Sequence, residues 1–409
     1  MKNEKRTAVL VVSCLAAALA SNAQDWPQWR GPNRDGKAEG FKAPATWPKE
    51  LTQKWKVAVG SGDATPALVG GKLYVFSRQE TDEITRCLDA ATGKEEWSDK
   101  SSAPTVNGPD GPHGGPRSSP AVADGKVVTL GVGGTVSCLD AATGKVLWRK
   151  DDFKGSWPKF HTSVSPIIAG GLAIVQLGKE SDGAVVAYDL ASGEQKWKWA
   201  TEGPGYASPV LATIGGTKMI ITATSKSVVG LDAATGKLLW QTAFAPSGMS
   251  YNAATPVIDA ETVYISGQGQ GRGTKALKIE KSGDAFSAKE IWSNADNAVQ
   301  FNTPVLKKGR LYGLTGRDNW FCLNAENGQS AWSAPSGGRR GFGSIVDAGP
   351  VLLALTPSAQ LTVIEPNDKE FKQLASYKVG EGDTYAYPVP AGNKVYIKDK
   401  DSVTLYSLD

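Results

Sequence analysis

Histidine and cysteine are the scarce residues of this chain, and their scarcity excludes whole classes of function. Two histidines and four cysteines occur in 409 residues, with no adjacent cysteines and no Cys-x-x-Cys pair. That leaves no pattern for a zinc ribbon or a haem attachment. Cys14 falls in the leader described below, and an odd count of three remains, which argues against a disulfide framework in an exported protein. Concentrated charge is missing too. The formal net charge is +4, and the strongest basic clusters are the pairs Lys307-Lys308 and Arg339-Arg340. A nucleic-acid footprint needs cations gathered on one face, so no nucleic-acid partner is expected. Polybasic and acidic tails are absent, and only one long apolar run occurs.

That run is at the start. Lys2, Lys5 and Arg6 precede the uncharged stretch Ala8 to Ala20, and Ser21-Asn22-Ala23 offers small residues before Gln24. This is the pattern of a secretory signal peptide over residues 1–23, so a periplasmic or secreted protein is expected. The alternative is a lipid anchor at Cys14 in Val11-Val12-Ser13-Cys14, but the apolar stretch continues past that cysteine and leaves too little of it ahead of the cut.

What the chain has in abundance is repetition. Cys87-Leu-Asp-Ala-Ala-Thr-Gly-Lys-Glu-Glu-Trp97 returns as Cys138 to Trp148, then with changes as Ala187 to Trp197, Gly230 to Trp240 and Cys322 to Trp332. Ala276 to Trp292 is a stretched copy. An Asp that bonds nearby N–H groups, a Gly that supplies positive φ, and an alternating run ending on Trp form a hairpin signature. A second marker, a small or aromatic residue followed by proline and an apolar run, precedes each hairpin. The prolines are Pro66, Pro120, Pro166, Pro209, Pro256, Pro304 and Pro388. They recur at intervals of roughly 45 residues, with one double gap in which Gly343-Ser344-Ile345-Val346 lacks only the proline.

Eight units of about four short strands predict an all-β, eight-bladed β-propeller with four-stranded antiparallel blades, because one blade cannot bury both its faces alone. The last unit ends at Leu405-Tyr-Ser-Leu408 without a tryptophan strand, and Leu51-Thr-Gln-Lys-Trp55-Lys-Val supplies one. The two termini are therefore expected to share the eighth blade, which removes exposed edges. The organisation is a leader over 1–23, a Trp-, Pro- and Gly-rich segment over 24–50 expected to pack over the ring, and the propeller over 51–409. Trp55, Trp97, Trp148, Trp197, Trp240, Trp292 and Trp332, with Tyr377 as a variant, hold one repeat position and are expected to pack between blades.

The repeated Cys/Ala-x-Asp-x-x-Thr-Gly-Lys-x-x-Trp unit resembles the tryptophan-docking repeat of the pyrroloquinoline-quinone (PQQ)-like family, which includes quinoprotein dehydrogenases and the outer-membrane assembly factor BamB. The opening Asp25-Trp-Pro-Gln-Trp-Arg-Gly-Pro32 is similar to that of secreted PQQ-like repeat proteins of planctomycetes. The resemblance implies a propeller and leaves function open. Quinoprotein members carry a vicinal Cys-Cys disulfide over PQQ and an acidic set holding calcium, and this chain has no Cys-Cys pair and no calcium-loop spacing. The expectation is therefore a non-catalytic, monomeric scaffold without a cofactor, binding protein partners, in one form at the outer membrane. PQQ with calcium belongs only to the dehydrogenase alternative.

Gly267-Gln-Gly-Gln-Gly-Arg-Gly273 is expected to be a flexible turn between strands, since no helix follows it as a phosphate loop requires. A ligand site, if present, is expected on the rim of the central channel, at the residues just before each inner strand. These are Asp63, Arg117, His161, Tyr206, Tyr251 with Asn252, Gln300 with Asn302, Phe342, and Asp383 with Tyr385. Convergent polar groups between aromatic walls suit a small polar or anionic ligand. Arg117 and His161, at one repeat offset in adjacent blades, are the expected centre. Satisfying carbonyls of the loop at 103–116 is the structural alternative for Arg117.

Overall fold

The Asp-x-x-Thr-Gly turn does the same local work in each copy. Asp89 Oδ1 accepts the Thr92 N–H at 2.9 Å and the Thr92 hydroxyl at 2.7 Å, and Gly93 follows at φ 75°. Asp140 with Thr143, Asp189 with Ser192 and Asp232 with Thr235 repeat the arrangement. Each hairpin then sets the first residue of the motif opposite its tryptophan: Cys87 with Trp97, Cys138 with Trp148, Ala187 with Trp197, Gly230 with Trp240 and Cys322 with Trp332. The stretched copy pairs Ala276 with Trp292.

These hairpins belong to eight four-stranded antiparallel sheets in a computed structural model that describes residues 25–338 and 341–409. The first blade comprises Ala67–Val69, Lys72–Gln79, Asp82–Asp89 and Glu95–Ser102. The eighth joins Val389–Ala391, Lys394–Lys398 and Ser402–Ser407 to Thr52–Ala58, with Trp55 and Tyr396 both opposite Leu405. The all-β, eight-bladed propeller closed by both termini is thus the observed fold. The expected leader, Cys14 and the Arg339-Arg340 pair lie outside the described residues. No helix among the described residues is long and apolar enough to cross a membrane.

The core lies between successive blades. Val128, Leu130, Val136, Cys138 and Trp148 of the second blade pack on Ala173, Val175, Ala184, Val186 and Tyr188 of the third. Six of the eight seams are also stitched by an indole. Trp55, Trp97, Trp148, Trp197, Trp292 and Trp332 donate their ring N–H to Ala90, Ala141, Leu190, Ala233, Ala325 and Asn367 of the next blade. Trp240 instead donates to Met219 Sδ, because the fifth blade's long hairpin, Gly273–Ser282 with Ala285–Asn294, carries the chain past the usual turn. Cys87, Cys138 and Cys322 are buried free thiols in different blades, and burial raises Cys138 to about 12 and the other two to about 11. They are core residues.

A belt of hydroxyls runs around most of the channel. The Ser or Thr before six of the prolines accepts the backbone N–H of its counterpart in the preceding blade. Ser119 Oγ accepts from Thr65, Ser165 from Ser119, Ser208 from Ser165, Thr255 from Ser208 and Thr303 from Thr255, at 3.0 to 3.1 Å. Thr65 Oγ1 extends the belt to the eighth blade by accepting from Tyr387 at 2.9 Å. The inner strand is the exposed edge of its blade, and its N–H would otherwise lack a partner.

Candidate functional site

The chain enters each inner strand from one end of the channel, here the upper mouth. A 3-10 turn, Gly108–His113, places the carboxylate of Asp110 there, buried beside the entry to the second blade. Asp110 Oδ2 lies 2.8 Å from His161 Nδ1 and accepts from Arg117 Nη2 at 3.2 Å. Burial works to raise the Asp110 carboxyl, but these two donors outweigh it and hold it below the usual range. Arg117 also donates to the carbonyls of His113, at 3.2 Å, and Phe160. His161 holds φ 60° and stacks on Trp157 at 5.5 Å. A left-handed backbone at a non-glycine residue is a strained arrangement that the surrounding contacts must hold.

The expected pair is therefore brought together, but on an internal carboxylate. The Arg117 fork is spent on Asp110 and on carbonyls that include one of the 103–116 loop. Asp110 was missed by sequence reasoning. Its one signal was an acidic residue inside a Pro- and Gly-rich run, with nothing to say which blade it would face.

The second histidine repeats the pairing. His113 Nδ1 lies 3.2 Å from Asp63 Oδ2, a contact that raises the imidazole. Its ring meets the Tyr385 edge at 4.8 Å, Tyr385 meets Phe342 at 5.3 Å, and Phe342 stacks on Phe301 at 4.3 Å. Asp383 is exposed beside them. On the other side, Phe160 joins Tyr206 and Tyr251, and the Tyr206 hydroxyl donates to Glu180 Oε1 at 3.1 Å.

Two predicted rim residues prove to be pins rather than lining. Asn252 is buried and donates to the carbonyls of Thr224 and Phe244, and Asn302 to those of Leu314 and Gly341. Gln300 reaches the Met249 carbonyl at 3.3 Å. The Gly267–Gly273 turn is pinned as well. Its Arg272 is buried, lies 4.1 Å from the Phe244 ring centre, and donates to Asn252 Oδ1 and Ser250 Oγ. Apolar groups at this end are left to solvent: Met249 is 87% exposed and Phe301 36%.

Below the mouth, the Lys398 ammonium is enclosed by the carbonyls of Gly60, Gly62, Asp399 and Lys400, and burial lowers it to about 8. At the lower end, residues 25–42 lie across the channel. Trp26 pairs with Leu68, Val122 N–H donates to Pro27, Ala38 N–H to Asp347, and Lys42 N–H to Gly392. A cavity of about 390 Å³ lies away from the axis between the sixth and seventh blades. Most of its charged groups are paired, Arg310 with Asp368, Lys307 with Asp347 and Glu365 with Lys372.

The residues present do not fit calcium and a quinone under a disulfide. Asp63 and Asp110 are each engaged by cationic or N–H partners, and no group of three or more His, Cys, Asp or Glu among the described residues is placed to hold a metal. The three cysteines sit in separate blades.

Comparison with known proteins gives the following. The family model described as outer membrane protein assembly factor BamB matches residues 46–177 and 80–334. The chain is 25% identical over 374 residues to outer membrane protein assembly factor BamB of Burkholderia pseudomallei, covering 86% of each. It is 29% identical over 157 residues to quinohemoprotein alcohol dehydrogenase of Comamonas testosteroni, which is 37% of this chain but only 22% of the dehydrogenase. In three dimensions it is similar to a europium-containing methanol dehydrogenase, with a TM-score of 0.71 at 15% identity, over 94% of this chain and 90% of that one.

Proposed function

This chain belongs to the family of the outer membrane protein assembly factor BamB, and we propose that it is an exported, non-catalytic scaffold that holds a protein partner on the upper face of the ring, acting as a monomer. One observation carries this reading. At the upper mouth Asp110 is paired with Arg117 and His161 and Asp63 with His113, while Met249 and Phe301 face solvent. Exposed apolar side chains on a rigid rim are what a partner buries. The near-complete overlap with a BamB chain supports a partner in an outer-membrane assembly.

A photo-reactive residue at Met249 tests this in cells. The expected result is an adduct with outer-membrane assembly proteins, absent when the probe stands at Leu238, which begins the strand after the Gly236 turn and is also solvent-exposed. Equal labelling from both positions overturns the assignment of the face.

The dehydrogenase reading is favoured by the match to the Comamonas enzyme and opposed by the donor set. We propose no resident cofactor. Dye-linked alcohol oxidation by protein supplied with PQQ and calcium, above a quinone-only control, would reverse that. A small anion between Arg117 and His161 would have to displace Asp110. Calorimetric anion binding that Arg117→Ala abolishes without lowering Tm would establish such a site.

A further inference from the structure

Residues 25–42 do more than cover the lower mouth. Their backbone and side chains reach the innermost strands around the ring, and two arginines do most of the work. Arg30 donates through Nη1 to Thr303 O at 2.9 Å and through Nη2 to Pro304 O at 2.7 Å. It also reaches the Tyr387 hydroxyl, and its guanidinium lies near the Trp29 and Tyr387 rings. Arg34 donates to Pro209 O at 2.8 Å, Ser165 O at 3.2 Å and Pro166 O, with Nε on Gln28 Oε1 at 2.9 Å. One arginine thus bridges the third and fourth blades, and the other the sixth and eighth.

The acceptors explain the residue type. The Ser/Thr-Pro dipeptides that open the inner strands point carbonyls at the axis, where no further strand exists to satisfy them. A planar fork of donors holds two carbonyls in one fixed geometry, whereas an ammonium is a compact, freely rotating point charge. Both arginines are almost wholly buried, and their donors end on oxygen acceptors, two of them, Arg34 O and Asp35 O, within the segment itself. Burial lowers Arg34 to about 9.

The backbone of the segment is shaped to present them. Arg30 and Arg34 hold φ of 63° and 57°, and Gly31 and Gly36 lie at 82° and 75°. A methyl on Gly36 would fall 2.8 Å from Val305 and 2.9 Å from Arg30 Nη2. Residues 30–36 include four left-handed residues, in turns closed by Gly31 N–H on Gln28 O at 3.0 Å, Arg34 N–H on Gly31 O at 3.1 Å and Gly36 N–H on Arg30 O at 3.0 Å. The ring adds the side-chain contacts that hold the two left-handed arginines in place.

We propose that the lower half of the central channel is a peptide-binding site for a turn carrying two arginines four residues apart, and that residues 25–42 are its resident ligand in cis. The tether to the ring is peripheral to this recognition. Phe41, Ala43 and Trp47 pack at the seam of the seventh and eighth blades, and exposed Ala45-Thr46 leads on to the outer strand of the eighth blade. Cutting the chain there leaves the channel contacts untouched.

The test uses the full chain with a protease site inserted between Ala45 and Thr46. After cleavage, the N-terminal fragment is expected to co-elute with the ring under native conditions. A labelled synthetic peptide of residues 25–42 is expected to exchange into the cleaved protein at one per ring, and Arg34→Lys in the peptide to weaken uptake tenfold or more. Because the substitution is in the peptide, ring folding is not at stake. Release of the fragment on cleavage overturns the proposal. So does equal uptake of the wild-type and Arg34→Lys peptides, no uptake of either included.

Discussion

The ring of Trp148 lies against Gly193 of the next blade so closely that a methyl group there would fall 2.7 Å from its carbons. The same contact joins Trp55 to Gly93, Trp97 to Gly144, Trp197 to Gly236 and Trp292 to Gly328. The glycine of the turn therefore has two duties, positive φ and room for the preceding blade's indole.

These duties separate by mutation. Gly193→Ala meets both a φ of 72° and the indole, and should cost about 3 kcal/mol in denaturant unfolding. Gly170→Ala, at φ 57° with nothing within 4 Å, should cost only about 1 kcal/mol. Equal losses would mean that the indole can move aside.

The hydroxyl belt predicts a residue-specific loss at a buried position. Ser165→Ala leaves the Ser119 N–H without its acceptor and should destabilise by about 1–3 kcal/mol. Ser165→Thr keeps the hydroxyl, as the first, fifth and sixth blades do with Thr65, Thr255 and Thr303, and should be close to neutral by the same thermal-unfolding measurement. A Thr variant as unstable as the Ala variant would remove the belt from the account.

Glu83 makes stability fall as pH rises. It is buried, and burial pushes its carboxyl up to about 7, against the Val132 N–H and Arg78, which favour the charged form. A carboxyl raised in the folded state contributes stability below its unfolded value near 4.3, and that stability is lost as pH rises to about 7. Glu83→Gln keeps an acceptor for Val132 and should gain on the order of 2 kcal/mol at pH 8 relative to wild type, with little change at pH 4. A pH-independent difference between the two would show the group to be already charged in the folded protein.

Asp110 has the opposite sign. Its carboxyl is held below the usual range, so its contribution is present above the unfolded value near 3.9 and is lost as pH falls through the folded one. Asp110→Asn should lower Tm at pH 7, where Arg117 and His161 lose their shared anion, and should lose less Tm than wild type between pH 5 and pH 3. Parallel curves would show that the carboxylate is not what joins the two blades.

What the sequence determined by itself is the blade and its number. The Asp89–Thr92 turn, its glycine, the alternating strand and Trp97 all act within a few residues of one another, so their repetition fixed hairpin, register and count. Trp55 could even be assigned to the last blade, because a missing strand at one terminus and a spare one at the other leave a single way to close a ring. The rim was legible only as a set of positions. Phe342 and Asn302 occupy comparable loops, yet Phe342 stacks at the mouth and Asn302 turns inward to the carbonyls of Leu314 and Gly341. Only the tertiary structure decided that Asp110 would meet His161 from another blade, or that Arg30 would reach Thr303, 273 residues away. Those contacts depend on where the closed ring aims unpaired carbonyls and carboxylates, and a side chain that answers a distant acceptor leaves no periodicity in its own neighbourhood.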